Sequence, residues 1–246
     1  MSVVLEVDNQ VYTAEDLVPL LTQYQILPKL AQEILTEKAI ADIQCSEEEN
    51  TSIYNQFCQK NQLGSEEQVQ QWLAKQGLNR EQLQNIITKK YRLDKFKQEK
   101  WSDQIDAHFV KRRAQLDRVV YSLIRVEKPE VAQELYFRIK DDENTFSALA
   151  MEYSQGTEAQ TGGLIGPVEI NAPHPKIAQV LATCQPGQLM PPTRVGEWIV
   201  IVRLENYLTA KLDEPMRQRM LDELFGQWLN EAIQKKVSFL SSPVTS

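Results

Sequence analysis

Glycine and proline are spread very unevenly along this chain. Most of its nine glycines and eleven prolines lie between Pro129 and Gly196, and few fall in the first hundred residues or the last forty. Both residues interrupt helices and set turns. A chain punctuated in this way cannot form one uninterrupted helical bundle. The pattern predicts two helical segments flanking a compact middle of strands, turns and short helices, an α+β architecture.

The front opens on Val3–Tyr12, which reads as a short strand or turn pair around Asp8-Asn9. Thr13-Ala-Glu-Asp16 has capping-box character, with Leu17, Leu20 and Leu21 behind it on one helical face. Pro28 can begin a second helix carrying Leu30, Ile34 and Leu35. Ser46-Glu-Glu-Glu49 and Ser65-Glu-Glu-Gln68 are two further capping boxes, introducing Ile53 and Phe57, then Val69, Trp72 and Leu73. Gly77 is placed to end the latter helix. Asn79 can cap a long one through Leu83, Ile86, Ile87 and Tyr91, continuing past Phe96 and Trp101 toward Arg113.

At the other end, Asp213 is placed as an N-cap and Pro215 in the first turn. Met216, Met220, Leu224, Phe225, Trp228, Leu229 and Ile233 then recur at steps of three and four. One helix cannot bury such a face alone, and a bundle offers grooves of matching length. The last helix is therefore expected to return to the front bundle, which makes the middle an insertion. The expected divisions are 1–115 for the helical domain, 116–208 for the insertion, 209–240 for the returning helix and 241–246 for a disordered tail.

Within the middle, Val119–Ile124 reads as a strand, Pro129 opens a helix, and Phe146, Leu149, Ala150 and Tyr153 mark another. A glycine-containing loop runs from Ser154 to Gly166. Pro173-His-Pro175 makes a turn, a short helix passes through Ile177 and Val180, and Pro186-Gly187 turns again. Glu197–Leu204 is the clearest strand in the chain.

Charge and composition exclude several classes of function. With 27 basic against 34 acidic residues the net charge is −7 and the pI about 5.1, unlike the basic footprint of a general nucleic-acid binder. The run Lys89–Trp101, with Lys111-Arg-Arg113 beyond it, is locally basic and interleaved with aromatics, but its spacing is that of an ordinary amphipathic helix. No apolar run approaches the ~20 residues of a membrane helix, and no basic leader precedes an apolar stretch, so neither membrane insertion nor export is expected and the cytoplasm is. Three scattered cysteines fit no disulfide framework, and with two histidines and no Cys-x-x-Cys spacing no metal is expected.

The middle also carries specific motifs. Phe146-Ser-Ala-Leu-Ala-Met-Glu-Tyr-Ser154, a spacer, then Gly162-Gly-Leu-Ile-Gly166 resembles the parvulin signature F-x-x-L-A-x-x-Y-S…G-G-D-L-G. Ala182-Thr-Cys-Gln-Pro-Gly-Gln-Leu189 is similar to the parvulin turn A-x-x-L-x-P-G-x-(I/V), and Thr193–Val202 to its closing strand T-x-F-G-Y-H-I-I-x-V. Tyr121-Ser-Leu-Ile-Arg125 falls where the opening strand H-I-L-V-K belongs. The helical front and the returning helix resemble the frame of SurA-type foldases.

The resemblance implies a parvulin-like domain, an antiparallel sheet with helices, and peptidyl-prolyl cis–trans isomerisation with no cofactor. The implied partner is an unfolded or proline-containing polypeptide, with an export or peptide-maturation system as a further candidate. Carried over residue by residue, the family's opening-strand histidine becomes Tyr121 in a gapless alignment, or Ser122 after a shift of one. The closing-strand histidine becomes Trp198, Thr193 keeps the family threonine, and the acidic or cysteine position becomes Gly156. In the proline cup, Pro173, Ile177 and Ile165 replace methionine, phenylalanine and leucine. Two readings stay open: Tyr121 and Trp198 act as donors over an apolar floor, or the cup holds proline segments without accelerating their rotation. His174 borders the cup with no role assigned.

Overall fold

The computed structural model describes residues 3–239, the side chain of Val3 excepted; the tail expected at 241–246 lies outside them. Along the chain run β1 (Val3–Val7), β2 (Gln10–Thr13), α1 (Ala14–Gln23), α2 (Leu27–Ala39), α3 (Glu47–Lys60), α4 (Glu66–Gln76), α5 (Arg80–Trp101) and α6 (Ile105–Leu116). There follow β3 (Arg118–Val126), α7 (Pro129–Lys140), α8 (Phe146–Tyr153), β4 (Leu164–Glu169), α9 (Pro175–Leu181), β5 (Leu189–Val195), β6 (Trp198–Leu208) and α10 (Glu214–Lys236). The chain divides into two compact units: residues up to Ile105 together with those from Arg217 on, and Asp106–Met216. The middle is thus an insertion, with its borders at 105 and 216 where the sequence suggested 115 and 208.

In the helical unit the local signals act within a few residues. Asp8 and Asn9 both adopt positive φ, which turns β1 into β2. The Asp16 carboxylate accepts the Thr13 N–H at 2.8 Å, and Ser46 and Glu49 bond reciprocally. Ser65 caps α4, but Gln68 turns its amide oxygen to the Gly64 N–H, so that box is not closed on Ser65 itself. Gly77 ends α4 in the left-handed region at φ 65°. The expected helix from Asn79 to Arg113 is broken. A short 3₁₀ turn at Ser102–Gln104 separates α5 from α6, at Ser102 and Asp103, two residue types of low helix propensity.

α10 returns to this unit. Trp228 meets Phe96 and Trp101 edge-on, with ring centroids 5.7 and 6.2 Å away, and Phe225 lies 6.3 Å from Trp101. The Lys100 ammonium stands over three of those rings, closest to Trp228 at 4.8 Å. The basic run of α5 is largely committed to ion pairs: Lys89 with Glu33 and Glu37, Lys95 with Glu49, and buried Lys97 with Asp222. Lys89, Lys95 and Lys97 thus face carboxylates of the same unit, and Lys100 faces aromatic rings. Among the described residues no helix is long and apolar enough to cross a membrane.

The inserted unit is a four-stranded antiparallel sheet in the order β4-β3-β6-β5. Alternation along the two central strands separates two cores. On one face Ile124, Ile199 and Ile201 pack with Leu135 and Ile139 of α7 and Phe146, Leu149 and Ala150 of α8. On the other face Tyr121, Leu123, Val200, Val202 and Leu204 pack with Ile177 and Leu181 of α9. The edge strands β4 and β5 contain Pro167, Pro191 and Pro192, which a central strand would not tolerate.

Candidate functional site

The face beneath α9 is not filled. It encloses a cavity of about 450 Å³, within the range of small-ligand sites. Tyr121, Leu123 and Arg125 enter from β3, Val200 and Trp198 from β6, Ile165 from β4, and His174 and Ile177 from the start of α9; Val195, Gly196 and Glu197 complete the wall. The parity of the strands explains the set: residues two apart on β3 and β6 share a face. Tyr121 pairs with Leu204 in register, one face of the ladder turning to the cavity and the other to α8.

The apolar floor is Leu123, Ile177, Val195 and Val200, all at most 9% exposed. Among the described residues neither the Tyr121 hydroxyl nor the Trp198 indole has a hydrogen-bond partner, although Tyr121 is only 5% exposed. Burial, reinforced by the Glu158 carboxylate, pushes the Tyr121 pKa up, so the hydroxyl stays a proton donor. Arg125 is held from behind: its Nε and Nη2 donate to Glu158 at 2.8 and 2.6 Å, and the Ser154 hydroxyl donates to the same carboxylate at 2.7 Å. Burial pushes Glu158 up, but the Arg125 and Ser154 bonds outweigh it and leave the carboxyl below its ordinary value. The pair leaves the Arg125 charge neutralised at the wall.

Of the residues singled out from sequence, Tyr121, Ile165, Ile177 and Trp198 meet in this cavity. Four others do not line it. Ser122, the alternative to Tyr121, points to the opposite face, where its hydroxyl donates to Glu205 beside Arg203. Thr193 lies behind Ile177 at a gap of about 10 Å³, its hydroxyl donating to the Pro191 carbonyl at 3.1 Å. Pro173 lies in the bend before α9, and it is His174, next along the chain, that reaches the cavity. Gly156 is not a wall residue either. A Cβ there would run into the Glu158 carboxylate and the Arg125 guanidinium, so the space of a side chain at 156 is already taken by Glu158.

Arg125, Glu158, Leu123, Val195 and Val200 were not identified from the sequence. The period-two rule applied to Tyr121 would have found Leu123 and Arg125. Glu158 carried no such signal, because it reaches Arg125 across 33 residues of chain. Among the described residues no cluster of three or more histidine, cysteine, aspartate or glutamate side chains could hold a metal ion.

Residues 125–206 match the rotamase family model, described as a PPIC-type PPIASE domain; Tyr121 and Ser122 lie just ahead of the matched span. Among solved structures, the peptidylprolyl isomerase PrsA of Bacillus anthracis is 19% identical, covers 87% of this chain and 100% of its own, and has a TM-score of 0.47. PrsA of Bacillus cereus is 18% identical, with 99% and 95% coverage and a TM-score of 0.49. The parvulin domain of PpiD from E. coli is 27% identical over 41% of this chain and 97% of its own, with a TM-score of 0.34. No curated protein sequence matches the chain.

Proposed function

From a chain that carries a PPIC-type rotamase domain over residues 125–206, we propose a peptidyl-prolyl cis–trans isomerase and foldase that works on proline-containing segments of unfolded polypeptide in the cavity under α9. The observation that carries this reading is the convergence of Tyr121, Ile165, Ile177 and Trp198 around a cavity of about 450 Å³.

Rotation about an X–Pro bond crosses a barrier of about 18–20 kcal/mol because twisting breaks amide resonance. The twisted state returns a lone pair to the proline nitrogen and draws charge from the carbonyl. Such a reaction needs neither nucleophile nor metal. It needs an apolar seat for the ring, reduced hydration, and donors placed for the twisted state rather than the planar one. Leu123, Ile177 and Val200 supply the seat. The protonated, unpartnered Tyr121 hydroxyl is the donor for the nitrogen lone pair, which exists only in the twisted state, so this bond favours the transition state over the ground state.

The test is cis–trans exchange of a blocked X–Pro tetrapeptide followed by NMR with the whole protein at micromolar concentration. Accelerated exchange supports the reading. Peptide binding without acceleration makes the cavity a holding site, and absence of both overturns the assignment.

For the compartment we propose the cytoplasm, supported by the three free cysteines. Burial pushes the thiols of Cys45 and Cys184 up, so they remain protonated fillers. The proposal extends to a client held before an export or peptide-maturation system takes it. Its support is the joining of a proline cavity and a helical unit with exposed apolar side chains such as Val18, Tyr24 and Leu30 in one chain. Affinity capture from native cytosol that returned only abundant, unrelated chains would overturn a dedicated client.

A further inference from the structure

We propose that His174 is a substrate-binding residue of the cavity, donating through Nε2–H to a carbonyl of the bound X–Pro peptide. The proposal rests on the isomerase reading above and names a contact which that reading leaves out. Four observations lead to it.

His174 lines the same cavity as Tyr121 and Trp198, so an imidazole is present although neither strand contributes one. Its Nδ1 accepts the Lys176 N–H at 3.3 Å. An accepting nitrogen carries no proton, so the proton of the neutral ring sits on Nε2, which the helix entry leaves unbonded among the described residues. The backbone is stiff. Pro173 and Pro175 flank His174, their rings fix their own φ, and Pro175 confines His174 to the extended region, where it is found at φ −51° and ψ 139°. Finally, Ile177, part of the apolar floor, lies one turn further along α9, so the donor and the seat for the ring are fixed by one rigid segment. A donor held this way loses little freedom when a ligand arrives.

Of the remaining polar groups of the wall, the Trp198 indole N–H is a second donor unpartnered among the described residues, on β6 rather than on the segment that carries Ile177; the others are poorly suited to this contact. Glu197 accepts only. Arg125 has its Nε and Nη2 turned to Glu158. The Tyr121 hydroxyl is assigned to the proline nitrogen.

The experiment has two arms on the full-length protein, with a blocked Leu–Pro tetrapeptide as probe. In the first, the histidine ring nitrogens of ¹⁵N-labelled wild type are followed as the peptide is added. The expected result is a free protein with unprotonated Nδ1 at His174 and a shift of its Nε2 signals on saturation, while His108 does not move. In the second, His174→Asn keeps a side-chain oxygen to cap the Lys176 N–H but lacks the ring. It should melt with the wild type and lose about two- to tenfold in kcat/KM or peptide affinity. Ring signals that stay fixed at peptide saturation, or a His174→Asn protein with wild-type affinity and exchange rate, would overturn the proposal and leave the isomerase reading standing. A wild-type protein that neither binds nor accelerates the peptide would overturn both.

Discussion

Tyr121 faces the cavity with a hydroxyl that no described residue satisfies and that stays free to meet a ligand there. Its ring fills space whether or not the hydroxyl acts. Tyr121→Phe is therefore expected to keep the fold and the peptide affinity while slowing X–Pro exchange by about two- to tenfold, as NMR exchange on both proteins would show. An unchanged rate would remove the hydroxyl from the mechanism. Gly163 raises a different kind of residue question. It holds φ 83° while its carbonyl accepts the Leu123 N–H at 2.9 Å, and a Cβ would stand 2.8 Å from the Leu123 carbonyl oxygen. Gly163→Ala should destabilise the inserted unit by about 1–3 kcal/mol in a denaturant titration. This glycine belongs to the Gly162-Gly-Leu-Ile-Gly166 motif, and the structure explains its presence without any contact to a ligand.

At the scale of elements, the loop after α8 is tied to β3 by the Arg125–Glu158–Ser154 bonds. Glu158 has its carboxyl depressed below the ordinary 4.5. A depressed carboxyl contributes stability that is fully present above the unfolded value and is lost as pH falls through the lower folded one. The melting temperature should therefore drop on acidification below about 4.5 more in wild type than in Glu158→Gln. At neutral pH the variant should be less stable by about 1.5–3 kcal/mol, the Arg125 guanidinium retaining part of its solvation. Equal pH profiles would show that the pair does not tie the loop. The resemblance to parvulins placed an acidic or cysteine side chain at 156, where this chain has glycine. Here a carboxylate two residues on fills that volume, so an apparent loss in one position is a relocation by one short turn. Element boundaries show the same contrast. α7, α8, β3 and β6 are legible from periodicity and caps, whereas β4 starts inside the expected Ser154–Gly166 loop, and β5 follows the Pro186-Gly187 turn with only its Thr193–Val195 end inside the segment compared with a closing strand. Their prolines are compatible with a strand only at a sheet edge, and edge position is a property of the assembled sheet.

For the whole molecule, the two compact units divide the labour that the chain can perform. Every lining residue of the cavity belongs to the inserted unit. A protein of residues 106–216 should therefore accelerate exchange in a short X–Pro peptide at a rate comparable to the full chain, and a fragment that folds by circular dichroism yet does not accelerate it would count against this division. Trp228→Ala should in turn lower the stability of the helical unit by about 2–4 kcal/mol, since the ring joins α10 to Phe96 and Trp101, and leave short-peptide exchange unchanged. Separate unfolding transitions by calorimetry would resolve the two effects. The amino-acid order alone determined the helical frame, its caps, the returning last helix and the inserted α+β unit, because capping, periodicity and turn chemistry act over a few residues and so are written locally. Tertiary structure alone decided that Tyr121 and not Ser122 faces the cavity, that Thr193 and Pro173 stand outside it, and that Leu123 and Arg125 line it with Glu158 bonded behind Arg125. Those outcomes depend on strand parity, sheet order and packing between residues far apart in the chain.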